Sequence, residues 1–554
     1  MFISWNEQRT ANTREKELIK ARVRAHAARI AHQRQLDRQK RPPASTPTKN
    51  EPRRPQSRRP LSIPPAWHGG SDPFNCRAIQ ISPQLNQLLD FVSRVWVPAS
   101  HIQLPDPFPE SIRSAFCTEW MLHPTESLDD DAMAITILLP YASALATLTK
   151  SPDLEKQSIE MKLKTMSKLR TSLAEVHKAT STPLATIEML DPKLKTLDPD
   201  QYTITAAQSG PPVTSEDSVV AMAQALFIAA VNDNSFAEAT FHGEMLQRLM
   251  KRQTDRYGFA SLNSDVLCQA LVYDLVRAQL TFTPSIFDLE GWLGSCQSAF
   301  RPIVLQQFQT FREKMSTCLD PSLADTPLQQ AYLGTHQCFF LWSATKDPEI
   351  YVEPDEIWSY VTVANAAMQL WATNYLLELQ QVIDAPTFAL KLDLETQAQW
   401  LVRACLTLGL LLWQVTNLAD LRIAGQSFWP RGTIIFEMLH RYFSHLFELS
   451  RSLPVAFTSR HENAFIFFSW MGAVWVNRTA ESPAKVADSF FHRVICRLAA
   501  QRGLQDTDSI REIVKSFLPS LLLLAQDWKW LERLLPNEGA VIERKCKHPT
   551  IDRR

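Results

Sequence analysis

The residues best placed to do chemistry are basic and lie at the start of the chain. Arg22, Arg24, Arg29 and Arg34 fall within one short stretch, and the doublets Lys40-Arg41, Arg53-Arg54 and Arg58-Arg59 follow. Guanidinium and ammonium groups neutralise phosphates and release condensed counterions, an attraction that is blind to base sequence and grows with each contact. The doublets support a second reading. Lys40-Arg41, the 11-residue spacer 42–52 and then Arg53-Arg54 have the form of a bipartite nuclear-import signal, a surface for an import receptor. Residues 1–60 hold 16 Lys/Arg against 5 Asp/Glu, a formal +11, whereas the whole chain balances 58 against 58. Residues 61–554 therefore carry a formal −11. This asymmetry points to an anionic partner at the N-terminus, such as nonspecifically bound DNA. The bland alternative is a solvated basic tail.

Other reactive patterns are weak. The chain has no GxSxG elbow, no Walker-type phosphate loop, no GxGxxG and no HExxH. Asp129-Asp130-Asp131 lacks carboxylates one helical turn on and a second metal motif, so with Ser127 it reads as a solvated helix start. His440 and His445 are five apart, a spacing that does not put two imidazoles on one helix face. His242, beside Phe236, Leu246 and Leu249, reads as a packing histidine. The nine cysteines are scattered, with Cys318 and Cys338 the closest pair, which fits buried thiols in a reducing compartment better than a zinc site. No catalytic residue, cofactor or metal is expected.

The basic residues lie on two locally distinct segments. Residues 14–41 contain no Gly or Pro, and Leu18, Ala21, Ala25 and Ala28 form a narrow small-residue stripe among arginines. So little apolar area, at ~25 cal/mol per Å², predicts a marginal helix that orders on an anionic partner. Residues 42–66 are rich in Pro, Ser and Arg and read as an extended linker. The expected organisation is a disordered basic arm over 1–66 and an all-α body over 67–554.

The body is expected to be mostly α, a stack of helical hairpins. Gly is scarce, 14 in 554 residues, about 2.5% against a usual ~7%, which disfavours phosphate loops and hairpin-rich β folds. In Ile159–Val176 the apolar positions Ile159, Leu163, Met166, Leu169, Leu173 and Val176 recur at helical spacing. Residues 180–216 are a Pro- and Thr-rich loop. Ser218–Ala230 is then apolar throughout, Asn232-Asp233-Asn234 turn the chain, and Ser235 with Glu238 predicts a capping box for Phe236–Arg252. No run reaches the ~18 apolar residues that cross a bilayer. The longest candidate, Ala464–Val476, has 13 residues, is interrupted by Ser469 and reads as a buried core helix. A soluble intracellular protein is expected.

Four places, in this order along the chain, resemble the fungal-specific transcription factor family, in particular its regulatory middle domain. They are Phe2 with VRAHAARIAHQR (Val23–Arg34), GGSDPF (Gly69–Phe74) with IQISP (Ile79–Pro83), FAEATFHGEMLQRLMKRQ (Phe236–Gln253) and VYDLVRAQLTFTP (Val272–Pro284). The six clustered cysteines of that family's binuclear zinc cluster are absent, so no zinc or base-reading residue carries over. The resemblance implies an all-α regulatory body, residence in the nucleus, and control of transcription through the transcription machinery or other regulators. An α-helical interaction scaffold with no direct role on DNA is the alternative.

Overall fold

The computed structural model describes residues 83–96, 131–181, 215–287, 291–292, 319–324, 326–344, 354–416, 422–423, 426–479, 489–504, 506–518 and 528–534. These are almost wholly helical, as composition predicts. The exception is a two-residue antiparallel pairing of Arg422–Ile423 with Gln426–Ser427.

The first half begins with α1 (Pro83–Phe91), continued by a short π-helical turn over Val92–Trp96. It then builds α2 (Asp131–Thr149), α3 (Pro152–Ser181), α4 (Ser215–Asn232), α5 (Phe236–Tyr257) and α6 (Ser264–Thr281). The α4–α5 hairpin forms where the sequence predicts it. Asn234 takes the left-handed φ of 58° that Asn tolerates, and the turn closes through Ser235 N–H to Ala230 O at 2.9 Å. α4 is apolar on nearly every side, with Ala223, Leu226, Phe227, Ala229 and Val231 all inaccessible, because neighbouring helices cover it around its circumference.

The second half comprises α7 (Leu328–Ala344), α8 (Pro354–Ile383), α9 (Phe388–Lys391), α10 (Leu394–Gln414), α11 (Arg431–Leu449), α12 (Val455–Thr479), α13 (Phe490–Arg502), α14 (Thr507–Lys515) and α15 (Lys529–Leu534). Good caps mark several starts. Asp393 accepts from Thr396 N at 2.9 Å and Asp506 from Ser509 N at 2.6 Å, and α13 ends on Gly503 in the left-handed conformation. In α12 every residue from Ala464 to Trp475 is buried, which confirms the core-helix reading of Ala464–Val476. Ser469 is accommodated there by donating to Phe465 O at 2.8 Å.

Two apolar cores result, and α8 belongs to both. Its Val363, Ala366 and Leu370 pack into the first core, whereas Ala372, Leu376, Leu379 and Ile383 pack into the second. Polar contacts cross the same boundary. Gln279 on α6 donates to Thr373 Oγ1 at 3.4 Å and accepts from the buried Arg431 at 3.2 Å. Among the described residues, no helix is long and apolar enough to cross a membrane.

Two local expectations are corrected. On α3 the apolar stripe is buried only from Met166 onward, where Leu169 is enclosed and Met166 and Leu173 pack against the core. Ile159 and Leu163 are 50% and 58% exposed, while Leu154, Ser158, Met161, Lys162, Thr165 and Leu169 face inward. In the first turns Lys162 faces inward to reach the α4–α5 turn, where two carboxylates receive it. The capping box at Ser235 is also not made, since the Ser235 side chain caps nothing. Glu238 turns instead to Lys162 and His242.

Candidate functional site

The basic residues singled out from the sequence, Arg22, Arg24, Arg29, Arg34, Lys40, Arg41, Arg53, Arg54, Arg58 and Arg59, lie outside the described residues. So do Asp129, Asp130 and most of the 180–216 loop. The described body instead holds three polar constellations, which bring together residues the sequence named only one by one, such as His242, Glu238 and His440, with others it did not name.

The first is the cluster at the α4–α5 turn. Lys162 Nζ lies 2.7 Å from Asp233 and 3.3 Å from Glu238. Ser143 on α2 donates to Asp233 and to Ala229 O. Glu238 also lies 3.5 Å from His242 Nε2. Burial lowers the His242 pKa, against the opposing pull of Glu238, and the His242 Nδ1 has no hydrogen-bond partner among the described residues. His242 is therefore a packing histidine, as expected, and the cluster ties α2, α3 and α5 to one turn.

The second constellation is a buried ion pair on α6. Arg277 donates to Asp274 Oδ1 at 2.9 Å through Nε, and its other nitrogens reach Thr283 Oγ1 and Pro284 O, each at 2.6 Å. Asp274 Oδ2 accepts the Ile286 and Phe287 amides at 2.8 and 3.4 Å. Burial raises the Asp274 carboxyl above its ordinary range, against the pull of Arg277 and the two amides. The pair clamps the chain as it leaves α6. An acid and a base three residues apart within the mostly apolar stretch Ala270–Ala278, with Thr-Phe-Thr-Pro shortly after it, is the sequence signal that could have revealed it.

The third is a cleft of ≈ 270 Å³ between α11, the end of α12 and the start of α13. Phe436, Glu437, His440, Val476, Ser489, Phe490 and Phe491 line it. The helices around it approach closely at two glycines. A Cβ at Gly472 would meet the Phe491 ring at 2.2 Å, and one at Gly432 would meet Trp475 at 2.1 Å. Ser489 caps α13 and contacts His492 Nδ1, a pairing that resembles a nucleophile with its base.

The hydrogen-bond directions speak against that reading. Asn477 Nδ2 is held by Ala473 O at 2.8 Å and donates its second hydrogen to His492 Nε2 at 3.0 Å. The His492 proton is then on Nδ1, so the imidazole donates to Ser489 rather than accepting from it. Burial also pushes the His492 pKa down to about 4. The Ser489 oxygen acts as a helix cap.

His440 and His445 both lie exposed on α11, and no group of three His, Cys, Asp or Glu that could hold a metal occurs among the described residues. Cys268, Cys338, Cys405 and Cys496 are free thiols. Burial pushes Cys338 up to about 12, the opposite of an activated thiolate. Compared with protein-family models, with curated proteins and with solved structures, the chain matches none.

Proposed function

We propose that the chain is a nuclear transcription regulator of the fungal-specific transcription factor type that has no zinc cluster. In this reading the arm supplies nuclear import and nonspecific contact with DNA. Arg22, Arg24, Arg29 and Arg34 meet phosphates, and Lys40, Arg41, Arg53, Arg54, Arg58 and Arg59 meet an import receptor. The helical body binds the transcription machinery or other regulators. The observation that carries the proposal is the segregation of charge, +11 over residues 1–60 against −11 over the rest. Further support comes from two of the segments that resemble the family. They fall on adjoining elements, α5 and α6, and hold the polar clusters around Glu238 and Asp274. No catalytic role is assigned, in keeping with the direction of the Ser489–His492 hydrogen bond.

The test compares the full chain with a variant lacking residues 1–60. Loss of nuclear accumulation and of retention on DNA is the expected result. Retention of the full chain should fall steeply with salt, by about 0.9 log units in affinity per log unit of salt for each phosphate contacted. An unchanged distribution of the truncated chain refutes import by the arm, and salt-insensitive retention refutes phosphate contact. The second reading, a helical scaffold with no role on DNA, draws on the stacked-hairpin architecture of the body. Absence of the tagged protein from chromatin would favour it.

A further inference from the structure

The cleft between α11, α12 and α13 is walled by aromatic rings that stand across one another. His440 and Phe490 have centroids 5.2 Å apart at 80°, His440 and Phe491 5.6 Å at 64°, and Phe490 and Phe491 5.3 Å at 73°. These rings form a corner, not a flat stack, with the buried Phe491 at its back and the half-buried Phe490 and exposed His440 at its mouth. One carboxylate, Glu437, shares the lining and is exposed. It has no ion-pair partner among the described residues. The nearby cation Arg441 is engaged elsewhere, 3.1 Å from Asp384 and with its guanidinium 4.6 Å from the Tyr442 ring centroid.

We propose that this cleft binds a small alkylated ammonium group, with the aromatic corner around its alkyl shell and Glu437 as its counter-charge. Ring faces attract cations within about 6 Å of their centroids, and an alkylated ammonium is the cation that loses least hydration on entering such a corner. The size agrees. At ≈ 270 Å³ the cleft is below the ~300–1,000 Å³ of drug-sized pockets, so it suits a head group rather than an extended ligand. An anionic or acyl ligand would place its oxygens or chain against an unpaired carboxylate. The assignment is independent of any contact between the arm and DNA.

The experiment titrates the full chain with choline by calorimetry and ligand-observed NMR, beside its neutral isostere 3,3-dimethylbutan-1-ol. Choline should bind, the isostere about tenfold more weakly or not at all, and Glu437→Gln should weaken choline by about three- to tenfold. Glu437 is exposed, so its variant should keep the wild-type circular dichroism. Absence of choline binding, equal binding of the isostere, or an unchanged affinity in Glu437→Gln overturns the proposal. Two peptides identify the source of the cation. A trimethyl-lysine peptide that binds more tightly than choline while its unmodified form does not supports a protein side chain. Choline binding without peptide binding supports a free metabolite. Equal binding of both peptides overturns the requirement for alkylation.

Discussion

Replacing Asp274 with Asn should destabilise the body far more than a neutral, nearly isosteric change normally does. Asp274 is fully buried and its carboxylate lies 2.8 Å from Arg277 Nη2. At that separation and an effective dielectric of ~20 the attraction is about 6 kcal/mol. Desolvation of two ions offsets most of this, so the pair itself contributes little net stability. The single substitution is a different matter, because it leaves the Arg277 guanidinium buried without its counter-charge. Such unpaired charges cost about 3–5 kcal/mol.

Urea unfolding at pH 7 measures the effect. With a denaturant slope above the ~1–3 kcal/mol per M of small proteins, the midpoint should fall by about 1 M. Amide exchange should rise at Ile286 and Phe287, whose N–H groups bond to Asp274. Arg277→Met should be costly for the converse reason. The double variant, in which neither charge is left alone, should be less destabilised than the sum of the singles by at least about 2 kcal/mol. Additive single effects, or a loss below about 1 kcal/mol in Asp274→Asn, would refute the clamp.

Lys162→Met should cost about 1–3 kcal/mol, since it leaves Asp233 and Glu238 facing each other without the ammonium between them. Added salt should restore part of the loss by screening that repulsion, and a salt-independent deficit in urea unfolding would count against this account. Stability should also fall with acid. Burial holds His336, His461 and His492 each at about 4, below the ordinary 6.5. Between about pH 4 and 6.5 the unfolded chain therefore binds the extra protons. The stabilisation is present above pH 6.5 and is lost as the pH falls toward 4, with each histidine approaching ~1.4 kcal/mol per pH unit. A flat urea midpoint between pH 6.5 and 4.5 refutes it, and His336→Gln should reduce the slope.

What the sequence revealed of the fold follows a physical pattern. The Ala464–Val476 run was readable as core because a helix enclosed on all sides needs apolar residues on all sides, whatever its neighbours. The α4–α5 hairpin was readable because Asn232-Asp233-Asn234 is a local signal. The stripe on α3 held at Met166, Leu169 and Leu173 but misled at Ile159 and Leu163, because periodicity counts only apolar residues. Lys162 faces inward for reasons set by a turn some 70 residues away. Glu238 failed as a capping residue for the same reason, a distant lysine being a stronger partner than a nearby backbone amide. The cleft shares this character. His440 was weighed only against His445 on its own helix, whereas its ring neighbours, Phe490 and Phe491, arrive from α13.

The boundary between the two cores shows what apolar patterning alone does not specify. Along α8 most inward residues are apolar in both cores, the buried Gln369 and Thr373 excepted, and apolar contact alone sets no single register. The polar contacts do. Gln279 meets Thr373, and Asn374 accepts the Ser285 amide at 2.9 Å, only when α8 and α6 stand in one register. Arg431 adds a third constraint by reaching Gln279 from α11. Buried polar groups lose more by being left unpaired than they gain by pairing, so contacts of this kind select an alignment even where they add little stability. The register of the two cores is thus held by a few polar side chains at the seam, and the surrounding apolar area supplies the cohesion.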